Sequence, residues 1–227
     1  ALMDKVENGY NSFDFHVVFH SIHNFCTTDM SNFYLDIIKD RLYCEPIDSV
    51  ARRAAQTAIY RILSAITRMI APILSFTAEE IWSFMPHSST DNTESVFMND
   101  MPKKSGLTAS DKFTAKWNLI YQTRMDVNKS LEEARNAKLI GKSLEASVTI
   151  AVSDDASYEI LSNDSELLKT ILIVSSVTIT RSAAEEVVYT VTKAEGEKCE
   201  RCWIYSTSVG TDPNHKTLCA RCAGVVK

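Results

Sequence analysis

Cys199-x-x-Cys202, sixteen intervening residues and then Cys219-x-x-Cys222 constrain this chain more than any other feature. Two CxxC turns bring two pairs of thiolates within reach of one ion, and four sulfurs complete a tetrahedral shell with no open position. The pattern predicts one structural zinc ion held by Cys199, Cys202, Cys219 and Cys222, which organises a surface and activates no substrate. Glu200 and Arg201 lie inside the first turn, Trp203 follows it, and Lys216 and Arg221 accompany the second. An arginine and an indole beside a zinc turn suit contact with unpaired bases. Covering the knuckle is the competing use of the Trp203 ring.

Two disulfides would be the alternative use of four cysteines, as in a secreted module. The chain opens Ala1-Leu2-Met3-Asp4-Lys5 without an apolar secretory core, and Cys26 and Cys44 sit singly in helix-like stretches. Both features fit reduced thiols and a cytoplasmic protein. With 227 residues, 45% of them hydrophobic, the chain can bury a core, and it has no apolar run of the length a membrane span needs. Its net charge of -5 is unevenly placed. Residues 103–142 carry 9 Lys and Arg against 4 Asp and Glu, and residues 193–227 carry 6 against 4. Two basic segments in an acidic chain mark a local electrostatic footprint.

Helical periodicity runs from Phe13 to about Tyr43, read as two helices meeting near Thr27-Thr28-Asp29, with Asp29 or Ser31 as N-cap and Pro46 as terminator. From Val50 to Ile70 a wide apolar stripe predicts a bundle helix, interrupted by Pro72. Thr77-Ala78-Glu79-Glu80 reads as a capping box opening a helix through Trp82 and Phe84, followed by a loop from Met85 to Thr93. A long helix from about Ser110 to Lys138 carries Phe113, Trp117, Ile120, Tyr121, Arg124, Val127 and Leu131 at bundle spacing, with Gly141 as its stop. Then short β-like runs take over, Ala146 to Val152, Thr170 to Arg181 and Val187 to Lys193, around a helical piece near Tyr158 to Leu168. The expected architecture is mainly α: a helical-bundle domain over 1–142, a small α+β junction domain over 143–193 and a four-cysteine zinc ribbon over 194–227.

Other constellations carry less. His16, His20 and His23 share a helical face, but no glutamate stands as a base between them, and they read as polar positions beside Phe15, Phe19 and Ile22. Gly141-Lys142-Ser143 resembles the end of a phosphate loop, yet Asn136 occupies the position of the earlier glycine and the segment follows a helix. Glu79 and Glu80 suit the first turn of a helix, where the dipole favours carboxylates. Glu132, Glu133, Arg135 and Asn136 read as a solvated helix face. No nucleotide loop or catalytic triad remains, so no catalytic residue is predicted.

Three stretches together resemble a known family. Ser31-Asn32-Phe33-Tyr34-Leu35-Asp36-Ile37-Ile38-Lys39-Asp40-Arg41-Leu42-Tyr43 with Pro72-Ile73-Leu74-Ser75-Phe76-Thr77-Ala78-Glu79-Glu80-Ile81-Trp82 is similar to the helical anticodon-binding domain of class I aminoacyl-tRNA synthetases for branched aliphatic amino acids. Glu133 through Ala146 looks like the junction after that bundle in isoleucyl- and valyl-type enzymes. Cys199-Glu200-Arg201-Cys202-Trp203, with Val209-Gly210, His215, Leu218-Cys219-Ala220-Arg221-Cys222 and Val225-Val226, resembles the C-terminal zinc finger of bacterial isoleucyl-tRNA synthetases. That finger is shared in outline with formamidopyrimidine-type DNA glycosylases. A zinc ribbon after the junction, where valyl-type enzymes end in a coiled coil, favours the isoleucyl branch.

The resemblance implies a C-terminal portion of such a synthetase, without the HIGH and KMSKS motifs and inactive alone. ATP and isoleucine would bind only the missing N-terminal region. The implied partner is isoleucine tRNA, bound by a monomer with no membrane association. Arg201 and Trp203, within the stretch that resembles the family's zinc finger, are expected beside bases, and on charge and position Arg135, Lys138 and Lys142 are expected beside the RNA backbone. The rival readings are a stand-alone zinc-containing nucleic-acid-binding module, a helical protein with a zinc clip, and a glycosylase-like nuclease.

Overall fold

The computed structural model describes residues 1–104, 106 and 108–226. These form two compact units, Ala1–Asp36 with Ile47–Leu107, and Ile37–Pro46 with Thr108–Lys227. Mainly helical structure is observed, as expected, with small sheets confined to the second unit. Among the described residues no helix is long and apolar enough to cross a membrane.

Helices α1 (Leu2–Asn11) and α2 (Phe15–Asn24) pair through Gly9, where a Cβ would stand 2.7 Å from Val18 Cγ2. Only a residue without a side chain permits that approach. The helix does not break at Thr27–Asp29. It continues as a π-helix over Phe25–Tyr34, then as α3 (Leu35–Ile37) and α4 (Lys39–Cys44) ahead of Pro46. Asp29 and Ser31 are therefore interior residues and cap nothing, because the hydrogen-bond ladder changes pitch there without ending.

Helix α5 (Val50–Ile70) is the predicted one to the residue, opened by Ser49, whose hydroxyl accepts from the Arg52 amide at 3.4 Å. One face of it closes a cluster of Val6, Val18, Ile22 and Met69, and the Tyr10 hydroxyl donates to the Met69 carbonyl at 2.7 Å. A second cluster gathers Ala71, Ala78, Trp82, Met85 and Val96. Its centre is Trp82, whose indole N–H donates to the Asn92 carbonyl at 3.1 Å while the Arg68 guanidinium lies 5.2 Å above the ring. Arg68 in turn pairs with Asp91 at 2.5 Å.

Helix α6 (Ser75–Phe84) starts two residues before the expected capping box. Pro72 lies in the turn that ends α5, and Ser75 sends its hydroxyl back to the Ala71 carbonyl at 3.1 Å, so Thr77 is already helical. Glu79 does not act on the helix's own amides. Its carboxylate takes the Ser95 hydroxyl and the Val96 amide, fixing the loop that crosses Trp82.

In the second unit, α7 (Asp111–Asn136) is capped by Ser110, which accepts from the Phe113 amide at 3.2 Å. Its buried stripe is Ile120, Thr123, Val127, Leu131 and Ala134, whereas Phe113 and Tyr121, expected inward, are exposed. The helix ends before Gly141. Lys138 adopts φ 57°, with the Leu139 amide on the Ala134 carbonyl and the Lys138 amide on the Arg135 carbonyl, both 2.9 Å. Those two bonds make the left-handed C-terminal closure that glycine usually supplies. Gly141 instead gives its amide to the Glu145 carboxylate at 2.8 Å.

The sheet has the order β2-β1-β3, with β1 (Ala146–Val152) central, β2 (Ser176–Arg181) parallel to it and β3 (Val188–Lys193) antiparallel. Ala146, Val148, Ile150 and Val152 alternate into the core. Between β1 and β2 run α8 (Asp155–Asn163) and α9 (Ser165–Leu172), so the first part of the expected Thr170–Arg181 strand is helix. That helix stops where Ile173 turns left-handed at φ 56°. A parallel pair needs such a crossover, and α9 also packs on α7. The chain closes with the hairpin β4 (Glu197–Lys198) and β5 (Tyr205–Ser206) and the short helix α10 (Ala220–Val225).

Candidate metal centre and nucleic-acid interface

The two CxxC turns converge because each occupies one side of a small ribbon. Gly196, at φ 86°, passes so close to Ser206 that a Cβ would lie 2.2 Å from its carbonyl carbon, so only glycine admits the β4–β5 pairing. Past β4, the Cys199 amide donates to the Ile204 carbonyl at 3.0 Å and the Trp203 amide to the Cys199 carbonyl at 2.8 Å, closing the first knuckle. The second turn leads into α10, and its Cys219 amide points at Cys199 Sγ, 3.4 Å away.

The Sγ atoms of Cys199, Cys202, Cys219 and Cys222 all lie within 4.8 Å of one another, and Cys202 and Cys219 are 3.8 Å apart. A tetrahedral zinc with bonds of about 2.3 Å places its sulfurs about 3.8 Å apart, so the donor set and its spacing fit the ion. None of the four is disulfide-bonded. Burial raises the Cys199 thiol, but the backbone N–H groups of Cys202, Cys219 and Arg201 outweigh it and hold that thiol down to about 6. Burial pushes Cys222 up to about 11 and Cys202 higher still. The backbone N–H groups thus favour the Cys199 thiolate, whereas Cys202 and Cys222 need a cation beside them to lose their protons.

Ribbon and sheet share one buried residue: Ser175 donates its hydroxyl to the Leu144 carbonyl and accepts the Tyr205 amide at 2.8 Å. Two arginines tie the ribbon to α4. Arg201 donates through Nη1 to the Cys44 carbonyl at 2.6 Å and through Nη2 to the Tyr43 carbonyl at 3.2 Å. Arg221 meets both Asp40 carboxylate oxygens at 2.6 Å, with Glu45 at 3.6 Å. Burial works against the Asp40 carboxylate, yet hydrogen bonds and charge from Arg221 hold it below the ordinary carboxylate range. The Cys44 thiol is pushed up to about 11 by burial and by Asp40, so it is a neutral packing residue.

Trp203 does not lie down on the knuckle. It takes φ 66° and leaves its side chain outward, with the residue 57% exposed and Lys198 Nζ 5.5 Å from the ring centroid. A left-handed non-glycine residue carries strain of about 1 kcal/mol, sustained here by the zinc-turn hydrogen bonds. Arg201, two residues earlier, has its guanidinium turned to the α4 carbonyls. Arg135 is also engaged, with Glu132 and with Ser143 Oγ at 2.6 Å, which accounts for the serine of the Gly141-Lys142-Ser143 segment. Lys138 and Lys142 are exposed.

His16, His20 and His23 are exposed in the first unit, with Phe19 stacked on His23 at a centroid distance of 5.7 Å. Among the described residues the cysteine quartet is the one group arranged to hold a metal. Sequence reasoning passed over Lys198, Asp40 and Glu45. Lys198 directly precedes the first cysteine and was within reach of the pattern, whereas Asp40 meets Arg221 across 181 positions, which no local signal announces.

The family profile described as "Anticodon-binding domain of tRNA ligase" matches residues 1–150, and the one described as "Zinc finger found in FPG and IleRS" matches 196–224. The second span encloses all four cysteines and, with their geometry, assigns one structural zinc to the ribbon. An isoleucine-tRNA ligase of Syntrophotalea carbinolica is 44% identical over 99% of this chain and 25% of its own length. Isoleucine-tRNA ligases of Bacillus cytotoxicus, 45% identical, and Caldicellulosiruptor saccharolyticus, 44% identical, are each matched over 100% of this chain and 25% and 24% of their own lengths. The chain therefore spans about a quarter of the length of these relatives.

Proposed function

The chain belongs to the family of anticodon-binding domains of tRNA ligases, and from that premise we propose that it is the anticodon-binding portion of an isoleucyl-tRNA synthetase. The whole enzyme attaches isoleucine to its tRNA with ATP. This portion holds the anticodon stem and loop, while ATP and isoleucine bind in the remaining length of the protein, which acts as a cytoplasmic monomer. We place the divisions between the bundle, the α+β junction and the zinc ribbon near residues 142 and 193.

The observation that carries the reading is the Trp203 side chain, held outward on a left-handed backbone beside the zinc turn. Such a ring stacks on an unpaired base of any sequence, and Lys198 beside it contributes positive charge. Lys138 and Lys142 meet phosphates, which supplies salt-dependent affinity without base choice. Arg135 and Arg201 contribute by holding the segments that carry these groups, since their own nitrogens are directed to Glu132, Ser143 and the α4 carbonyls. Base identity then depends on hydrogen bonds to splayed loop bases.

The test compares the anticodon stem-loop of isoleucine tRNA with the same stem bearing a scrambled loop, at two salt concentrations. Tighter binding of the native loop at both concentrations is expected. Equal affinities that collapse together as salt rises would reduce the interaction to nonspecific electrostatics.

A further inference from the structure

Tyr43, the residue before the last of α4, is 74% exposed, so its ring gains little from packing. What fixes it is its backbone. Arg201, inside the first zinc turn, donates to the Tyr43 and Cys44 carbonyls, and the Cys44 thiol donates back to the Arg201 carbonyl at 3.7 Å. Arg221 on the second turn adds the bidentate pair with Asp40 at the other end of the same short helix. Both ends of α4 are thus stapled to the zinc ribbon by residues of its two knuckles. The guanidinium that holds Tyr43 stands two positions before Trp203, and it bridges 158 positions of sequence to do so. One arginine therefore links the backbone that carries the Tyr43 ring to the zinc turn that carries the Trp203 ring, and both rings are exposed.

We propose that Tyr43 is a second base-stacking residue, forming with Trp203 a two-ring platform for two unpaired bases of one single-stranded RNA loop. The proposal rests on the RNA-loop reading above and adds a residue to it. Aromatic faces on a rigid support stack on bases at small entropic cost, because only two side-chain torsions need to be fixed. The support here is rigid for a stated reason: the zinc cluster orders Arg201, and Arg201 orders the end of α4. Lys198, 5.5 Å from the centroid of the indole, supplies positive charge close to the platform for the RNA backbone.

The experiment uses the full zinc-loaded chain and fluorescence anisotropy with the labelled anticodon stem-loop of isoleucine tRNA. A fully paired hairpin of the same stem is the control, and Tyr43→Ala, Tyr43→Phe and Trp203→Ala are compared with wild type. Tyr43→Ala should weaken loop binding roughly five- to hundredfold, with binding of the paired hairpin and zinc content unchanged. Tyr43→Phe, which keeps the ring, should bind as wild type. Loop binding unaffected by Tyr43→Ala but lost with Trp203→Ala would overturn the platform and leave the RNA-loop reading standing. Loop binding unaffected by either alanine variant would overturn both. A Tyr43→Phe defect as large as that of Tyr43→Ala would assign the contact to the hydroxyl and overturn the stacking role.

Discussion

The first unit and the zinc ribbon reach order by opposite routes. In the first unit, apolar residues on α1, α2, α5 and α6 close two clusters, and polar contacts such as Arg68 with Asp91 decorate a core that burial already specifies. In the ribbon the only buried cluster is built around the cysteines themselves, among the described residues, with Val209 and Leu218 beside it. A segment that small cannot bury enough apolar surface to offset its chain entropy, so the metal must supply the difference. The bundle's shape follows from periodicity. The ribbon's follows from four thiolates and a few long-range tethers.

Removing zinc should produce the largest difference between the two regions. Structural zinc in small peptides contributes about 10–16 kcal/mol of apparent binding energy, nearly all of it folding energy. Chelation, or Cys219→Ser, should therefore abolish hydrogen-exchange protection over β4, β5 and α10 while leaving α5 and α6 protected. Protection of the ribbon surviving without metal would break the contrast.

The reverse perturbation is Trp82→Ala. It empties the centre of the second core cluster and removes the surface under Arg68, at a cost of about 3–5 kcal/mol. Denaturant unfolding should show that loss in the first unit, with zinc content unchanged by metal analysis.

A smaller effect separates the regions by pH. Burial raises the Asp91 carboxyl, but the Ser88 amide and Arg68 outweigh it, so its folded value lies below the ordinary 3.8. A depressed carboxylate stabilises fully above the unfolded value and loses that contribution as pH falls through the folded one. Asp91→Asn should thus destabilise the first unit by about 1–3 kcal/mol at pH 6, and the gap from wild type should close as pH falls below 3.8. A gap that stays constant with pH would remove Asp91's charge from the account. Hydrogen exchange resolves this in α5 independently of acid release of zinc from the ribbon.

The same contrast explains what was legible in the sequence. Helix α5 and strand β1 match their predicted limits to the residue, because one long apolar stripe and one clean alternation leave no competing period. Phe25–Tyr34 misled, since a π-helix keeps the chain helical through a polar stretch that reads as a break. Thr170–Val174 misled in the other direction: its apolar, β-branched run satisfies a buried helix end as well as a strand, and the left-handed turn at Ile173 carries no glycine to mark it. At the site, the four cysteines were readable from spacing alone. The α4 staples were not, because Arg201 and Arg221 find partners 157 and 181 positions away.

On the proposed function, the zinc turn holds the Trp203 ring outward against an unpaired base. Trp203→Gly tests it most directly, because glycine relieves the left-handed strain at φ 66° and takes away only the ring. The Trp203→Gly ribbon should keep its zinc and melt no lower than wild type, yet bind the anticodon stem-loop of isoleucine tRNA roughly five- to hundredfold more weakly. Wild-type loop affinity in a zinc-loaded Trp203→Gly protein would contradict it.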